Sequence, residues 1–303
     1  MTQLNYSVIA KKTTSTVIPC GEVILMSLAY DPEQLYYLYV PKKGGDNARI
    51  FISIHGISRN AEEHAGGFTK QAELYGVILI APLFHRKRFP DFQRLGRRGK
   101  GSRPDLMLQK IVDEVTRITK AQGKPVFFFG YSGGGQFVHR YAMAYPNHVS
   151  RIAIGAAGWY TFPDATQRFP RGIEHDPKLP DIHFKLTEFL SVPVSVLVGQ
   201  WDDVPDDDLN QSKKINRQQG LSRMERGRRW VDAMRTAARA LGLKTSYDFR
   251  VLQDSGHSFT QCMEKGKMGS AVFKFLFDSP TQKISVLPDT LMKAYIKMMN
   301  FEC

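Results

Sequence analysis

Cysteine is scarce: three occur in 303 residues, Cys20, Cys262 and Cys303, and none forms a Cys-x-x-Cys pair. So sparse and odd a set excludes a disulfide framework and fits a reducing compartment, so a cytoplasmic protein is expected. Long apolar runs are missing as well, and no stretch reaches the roughly twenty residues that a membrane-spanning helix needs. Lys11-Lys12 followed by Val17-Ile18-Pro19-Cys20 imitates a lipoprotein signal, but Thr13 to Thr16 is polar where the apolar segment would lie. The apolar residues after Cys20 are interrupted by Glu22 and read as a strand. Zinc-finger spacing, an RNP-type aromatic string and a basic region joined to heptads are all absent, so no nucleic-acid module is expected.

Acidic residues are also few. There are 29 against 42 Lys and Arg, for a formal net charge of +13. The excess gathers in two runs, one from Arg86 to Arg103, the other from Lys213 to Arg229 and including Arg223 and Arg226. The plain expectation is a solvated loop and a solvated helix face. The alternative is recognition of an anionic substrate or surface.

What is present is a rhythm of short apolar runs alternating with helical periods. Glu22–Tyr30 and Gln34–Val40 read as a hairpin turning at Asp31-Pro32-Glu33. Ile50–Ile54 and Val77–Ala81 read as buried strands around a helix capped by Asn60, acidic in its first turn, and closed by Gly76. A helix opens at Pro104-Asp105, runs to about Ala121 and ends at Gly123. Strands follow at Val126–Phe129, Arg151–Gly155, Val194–Val198 and Tyr247–Leu252. A helix of about twenty residues starts at Ser222 with Val231, Met234, Ala238 and Leu241 on one side. Two more are expected around Ala271–Phe277 and Thr290–Met299. Residues 159–190, with prolines at 163, 170, 177 and 180, lack a clear period and read as an insertion over the sheet. The expectation is one α/β domain over residues 1–303, with a mostly parallel central sheet, helices on both faces and a small cap at about 159–190.

Within this rhythm, Val126–Phe129 runs straight into Gly130-Tyr131-Ser132-Gly133-Gly134, and a helical period follows. A Gly-x-Ser-x-Gly string between strand and helix has the pattern of a nucleophile elbow, a turn so tight that only small residues fit around the serine. In a parallel sheet, ligands bind beyond the carboxyl ends of the strands. His55-Gly56, Ser132, Asp202 and His257 each follow a different strand, so they are expected along one edge. A serine hydroxyl needs a base to become a nucleophile, histidine titrates near working pH, and a carboxylate fixes the histidine's tautomer. Asp203 competes with Asp202 for that role. Asp176 with His175 and His183 matches no metal-ligand spacing, and Gly133-Gly134-Gly135 lacks the Lys-Ser/Thr ending of a phosphate loop, so no metal or cofactor is expected.

The order Ser132, Asp202, His257 resembles that of the α/β-hydrolase superfamily. Leu38-Tyr39-Val40-Pro41, His55-Gly56 and the Gln219–Gly227 stretch are similar to esterases related to polyhydroxyalkanoate depolymerases. The resemblance implies an oxyanion hole of backbone N–H groups at Gly133 and Ile57 (or Gly56). It also implies a serine hydrolase, expected to be a carboxylesterase, with Ser132, Asp202 and His257 as catalytic residues. Thioesterase, peptidase and lactonase chemistry would use the same residues, and a non-catalytic binding protein on this fold is the other class. Trp159 and Tyr160 are the expected pocket walls, with packing of the insertion onto the sheet as the alternative. The expected partner is a small ester, anionic if the Arg86–Arg103 stretch faces the site. The sequence leaves the oligomeric state open.

Overall fold

Strands that are apolar at every position form only where both faces of a sheet are covered. Ile50–Ile54, Ile78–Pro82 and Val194–Gly199 are buried throughout. A computed structural model describes residues 11–12 and 18–278. Its strands are β1 (Lys11–Lys12), β2 (Val23–Leu28), β3 (Asp31–Tyr39), β4 (Ile50–Ile54), β5 (Ile78–Pro82), β6 (Val126–Tyr131), β7 (Val149–Gly155), β8 (Val194–Gly199) and β9 (Tyr247–Leu252). They form one sheet in the order β1-β2-β3-β5-β4-β6-β7-β8-β9. β3 runs antiparallel to both β2 and β5, and every other pair is parallel.

The helices are α1 (Ala61–Tyr75), α2 (Pro104–Thr119), α3 (Gly133–Ala144), α4 (Leu186–Phe189), α5 (Lys213–Gln219), α6 (Arg223–Ala240), α7 (Phe259–Glu264) and α8 (Met268–Phe273). The two-residue period of the strands divides the core between two faces. Ile50, Ile52, Ile54 and Phe128 pack with α2, α3 and α6 residues such as Leu108, Phe137 and Trp230. Phe51, Phe129 and Tyr131 point the other way, to Phe68, Phe259 and Phe273 of α1, α7 and α8.

The chain passes from β4 through α1 to β5 on one side, and β6 then lies on the other side of β4. That reversal opens a crevice between the carboxyl ends of β4 and β6, where loops can surround a ligand without crossing the sheet. His55-Gly56-Ile57 leaves β4 at this crevice, and Ser132 leaves β6.

Several boundaries differ from expectation. The hairpin turns at Ala29-Tyr30, and Asp31-Pro32-Glu33 already belongs to β3, because Leu28 pairs with Asp31 across a register shift. Lys120, at φ 55°, ends α2, and Gly123 lies in the turn beyond it. The expected helix at Thr290–Met299 lies outside the described residues. α5 and α7, both short, carry too few turns to show a period. The insertion is irregular apart from α4. It covers α3 through the Lys185 N–H on the Met143 carbonyl (2.8 Å), while the Trp230 Nε1–H of α6 holds its Thr161 carbonyl (2.8 Å). α3 is therefore buried on all sides rather than on one stripe.

Candidate active site

Ser132 sits between β6 and α3 at φ 50° and ψ −112°, a conformation a side-chain-bearing residue holds only when its surroundings enforce it. They do. Its N–H donates to the Gly155 carbonyl at 2.7 Å. A Cβ on Gly134 would overlap the Ile54 carbonyl oxygen and come within 2.6 Å of that of His55. A Cβ on Gly130 would press into the Gly134 carbonyl group and the Gly135 nitrogen. The glycines thus let β6 and α3 close tightly on β4. Gly134→Ala is expected to cost more than about 2 kcal/mol of stability, checked by urea denaturation.

The acid and histidine loops are stitched together by backbone bonds. The Gln200 N–H donates to the Leu252 carbonyl (2.8 Å) and the Trp201 N–H to that of Ser255 (2.9 Å). This brings Asp202, just past β8, beside His257, just past β9. The His257 Nδ1–H donates to Asp202 Oδ2 at 2.7 Å, and the Ser132 hydroxyl donates to His257 Nε2 at 3.2 Å. A carboxylate accepts only, so the proton belongs on Nδ1 and Nε2 is left as the base. Asp202 is buried and Asp203 is exposed. The imidazole stacks on the Tyr131 ring, centroids 5.4 Å apart, and the Cys262 thiol donates to the Gly256 carbonyl from beneath the loop (3.4 Å).

On the other side of Ser132, Gly56 and Ile57 close over α3. The Ile57 side chain would lie 3.1 Å from a Cβ on Gly133. Neither the Ile57 nor the Gly133 N–H has a protein acceptor among the described residues. Two uncommitted amides thus stand next to a serine that has a base.

His55 fixes this loop. Its Nε2 accepts from the Phe84 N–H (3.0 Å), so its Nδ1–H must donate to the Gly56 carbonyl (2.8 Å). Burial pushes its pKa down from 6.5 to about 4. Below about pH 6.5 the unfolded chain then binds more protons than the folded one. The stability held by neutral His55 is full above that pH and is lost as pH falls toward 4. His55 alone is expected to account for about 3 kcal/mol of the unfolding free energy lost over this window. Buried His64 and His139 add to the fall in the same direction. His55→Gln should show a shallower slope in denaturant melts at several pH values.

A cavity of about 320 Å³ adjoins Ser132 and His257. Its walls include Gly56, Ile57, Ser58, Asn60, Glu63 and Asp208, and no Lys or Arg among the described residues lines it. Glu63 accepts from Asn60 Nδ2 and Thr260 Oγ1. Trp159 and Tyr160 lie elsewhere. Trp159 packs beneath the Arg140 guanidinium (4.4 Å), and Tyr160, fully buried, stacks on Trp230 (4.9 Å). His175 and His183 stack on each other at 5.8 Å.

Much of the charge in the first run is paired at half-buried positions rather than left free in solvent. Arg88 pairs with Asp31, Arg94 and Arg97 with Asp91, and Arg103 with Asp105 and Asp181. Arg86 is exposed, and its Nη2 lies 3.5 Å from the Ile57 carbonyl oxygen. In the second run, Arg223 and Arg226 are fully buried rather than solvated. Arg226 donates to the Gly158, Gly220 and Asn210 carbonyls at 2.7 to 2.9 Å, tying three loops together. Arg223 reaches the carboxylates of Asp202 and Asp206. The signal for both was available. They lie on the same helical stripe as Trp230, Val231 and Met234, where a solvated side chain has no room.

This fold recurs in solved structures. Poly(aspartic acid) hydrolase-1 from Sphingomonas sp. KT-1 superposes with a TM-score of 0.71 and 24% identity, covering 86% of this chain and 100% of its own. A poly(3-hydroxybutyrate) depolymerase from Bordetella parapertussis gives 0.68 and 22%, covering 86% and 87%. An S-formylglutathione hydrolase from Agrobacterium tumefaciens gives 0.55 and 12%, covering 80% and 90%. The chain has the α/β-hydrolase fold. No protein-family model matches the sequence, and no curated protein matches it. On this fold, Ser132, Asp202 and His257 follow β6, β8 and β9, and Ile57 and Gly133, whose amides have no acceptor among the described residues, follow β4 and open α3. No helix among the described residues is long and apolar enough to cross a membrane, and none of their His, Cys, Asp and Glu side chains gather in groups of three that could hold a metal.

Proposed function

We propose that this protein is a serine hydrolase and that its reaction is carboxylic ester hydrolysis through an acyl-enzyme. The observation that carries the reading is the continuous chain from Ser132 Oγ through His257 to buried Asp202, beside two amides with no acceptor among the described residues. In the proposed reaction His257 Nε2 takes the Ser132 proton as the hydroxyl oxygen attacks the ester carbonyl. The Gly133 and Ile57 N–H groups receive the oxyanion, each contributing about 3–4 kcal/mol to lowering the barrier. His257 then protonates the leaving alcohol, activates a water, and the acyl-serine bond is cleaved. Asp202 keeps the imidazole in its productive tautomer and balances the imidazolium. No step calls for a metal or an organic cofactor. Two of the three fold neighbours are named hydrolases and the third a depolymerase, which agrees with this reading.

The cavity carries Glu63 and Asp208 and no Lys or Arg among its described lining residues, so the group it takes is proposed to be small, polar and not anionic. An anionic extension of the substrate would lie outside it, at Arg86. A panel of matched p-nitrophenyl esters, neutral and carboxylate-bearing, with thioester and anilide counterparts, tests both points. The expected result is a burst of p-nitrophenol equal to the enzyme concentration, esters faster than anilides, and any anionic advantage confined to low salt. Absence of turnover on every member would remove the hydrolase reading.

A further inference from the structure

Arg223 opens α6, where its charge is locally unfavourable, because the first turn of a helix presents unpaired N–H groups and the positive end of the dipole. Its side chain is only 1% exposed. A guanidinium in that position needs carboxylates, and it has two. Nη1 and Nη2 donate to Asp206 Oδ2 and Oδ1, each at 2.7 Å, and Nη1 donates also to Asp202 Oδ1 at 3.1 Å. Its Nε has no partner among the described residues, so the two acids alone orient the group. Both oxygens of Asp202 are therefore occupied, Oδ2 by the His257 imidazole and Oδ1 by a guanidinium.

We propose that Arg223 and Asp206 form a charge-balanced pair that positions Asp202 and sets the basicity of His257. The proposal rests on the serine-hydrolase reading above. Arg223 fixes the Asp202 carboxylate by its second oxygen, which aims Oδ2 at Nδ1. Alone, its positive charge would weaken the stabilisation of the imidazolium by Asp202. Asp206, held by two bonds on the far side, returns that charge. When His257 is protonated, two cations and two anions stand in line, and the cluster is neutral at the moment when catalysis needs the imidazolium.

The charge states agree with this arrangement. Burial pulls the Arg223 guanidinium down, but the Asp206 hydrogen bonds and both carboxylates outweigh it and leave it above its ordinary value. The hydrogen bond from Arg223 is the main reason Asp206 lies below the usual carboxylate range. The other titratable groups that face His257 and Asp202 are Tyr131, Tyr160 and Cys262, all pushed up by burial and neutral at working pH. Glu63 and Asp208 line the cavity on the open side of the imidazole.

Profiles of kcat/KM against pH for the intact protein, with p-nitrophenyl acetate, test the pair by sign. Arg223→Met removes the positive charge, makes His257 more basic, and moves the acid limb up by about one unit. Asp206→Asn leaves the guanidinium uncompensated, makes His257 less basic, and moves the limb down by about half a unit to one unit. Arg223→Lys keeps the charge but loses the fork, so the limb stays near that of the wild type while kcat falls. A merely structural anchor would lower activity without opposite shifts. Should Arg223→Met fail to fold, Asp206→Asn and Arg223→Lys carry the same test. Fluorophosphonate labelling of Ser132 in every variant separates the two levels. A labelled wild type whose limb stays put in Asp206→Asn, or shifts the same way in Asp206→Asn as in Arg223→Met, overturns the proposal alone. A wild type that neither turns over nor labels overturns the underlying reading, and the proposal with it.

Discussion

Replacing Ser132 with alanine is expected to lower kcat for a p-nitrophenyl ester by about 10⁵-fold to 10⁶-fold. Among the described residues the hydroxyl bonds only to His257 (3.2 Å), so the fold is expected to lose almost nothing when it goes. The strained backbone at φ 50° is imposed by packing around Gly130 and Gly134, and alanine meets the same constraint as serine. The variant should therefore melt close to wild type and still bind ester. On the proposed mechanism it loses the nucleophile, while the Gly133 and Ile57 amides would keep a small residual rate over water. Ester turnover and thermal denaturation of the same preparation check this. Activity within about tenfold of wild type would place the chemistry elsewhere.

Asp202→Asn is expected to lower kcat by about 10⁴-fold, and the reason lies in the second partner of Asp202. Arg223 is a donor only, so an asparagine here must turn its oxygen toward Nη1. The amide nitrogen then faces His257 Nδ1, where a donor now stands in place of an acceptor. The imidazole answers by carrying its proton on Nε2, which leaves Ser132 facing N–H instead of a base. Asp203→Asn changes the same chemistry one residue on, at an exposed side chain, and should leave turnover unchanged. Steady-state kinetics on both variants decide between the two acids. A reversed result, with Asp203 essential, would contradict the hydrogen-bond geometry.

Local chemistry made much of this legible in the sequence. The apolar runs at 50–54 and 194–198 could only be covered strands, and Ser132 between glycines could only be a tight turn. Positions just past strands made His55, Asp202 and His257 stand out. The structure joins Asp202 to His257 and gives His55 to the loop carbonyl of Gly56. The rest depended on contacts between distant segments. Arg223 and Arg226 read as surface cations because the carboxylates and carbonyls that receive them come from other loops, although their place on the apolar stripe of α6 was a readable sign. Tyr160 and Trp159 read as pocket walls because an irregular, aromatic loop gives no period from which to tell packing from lining. The cavity instead draws on Asn60, Glu63, Ser258 and Thr260, residues that start α1 and α7 and look like ordinary helix caps.

The central claim is that Ser132 is the nucleophile that carries the acyl group. Intact-mass and peptide analysis after incubation with a fluorophosphonate tests it most directly. One adduct per chain, located on the peptide containing Ser132, lost in Ser132→Ala and strongly slowed in His257→Ala, is the expected result. No adduct on the wild type, or an adduct that persists undiminished in Ser132→Ala, would contradict it.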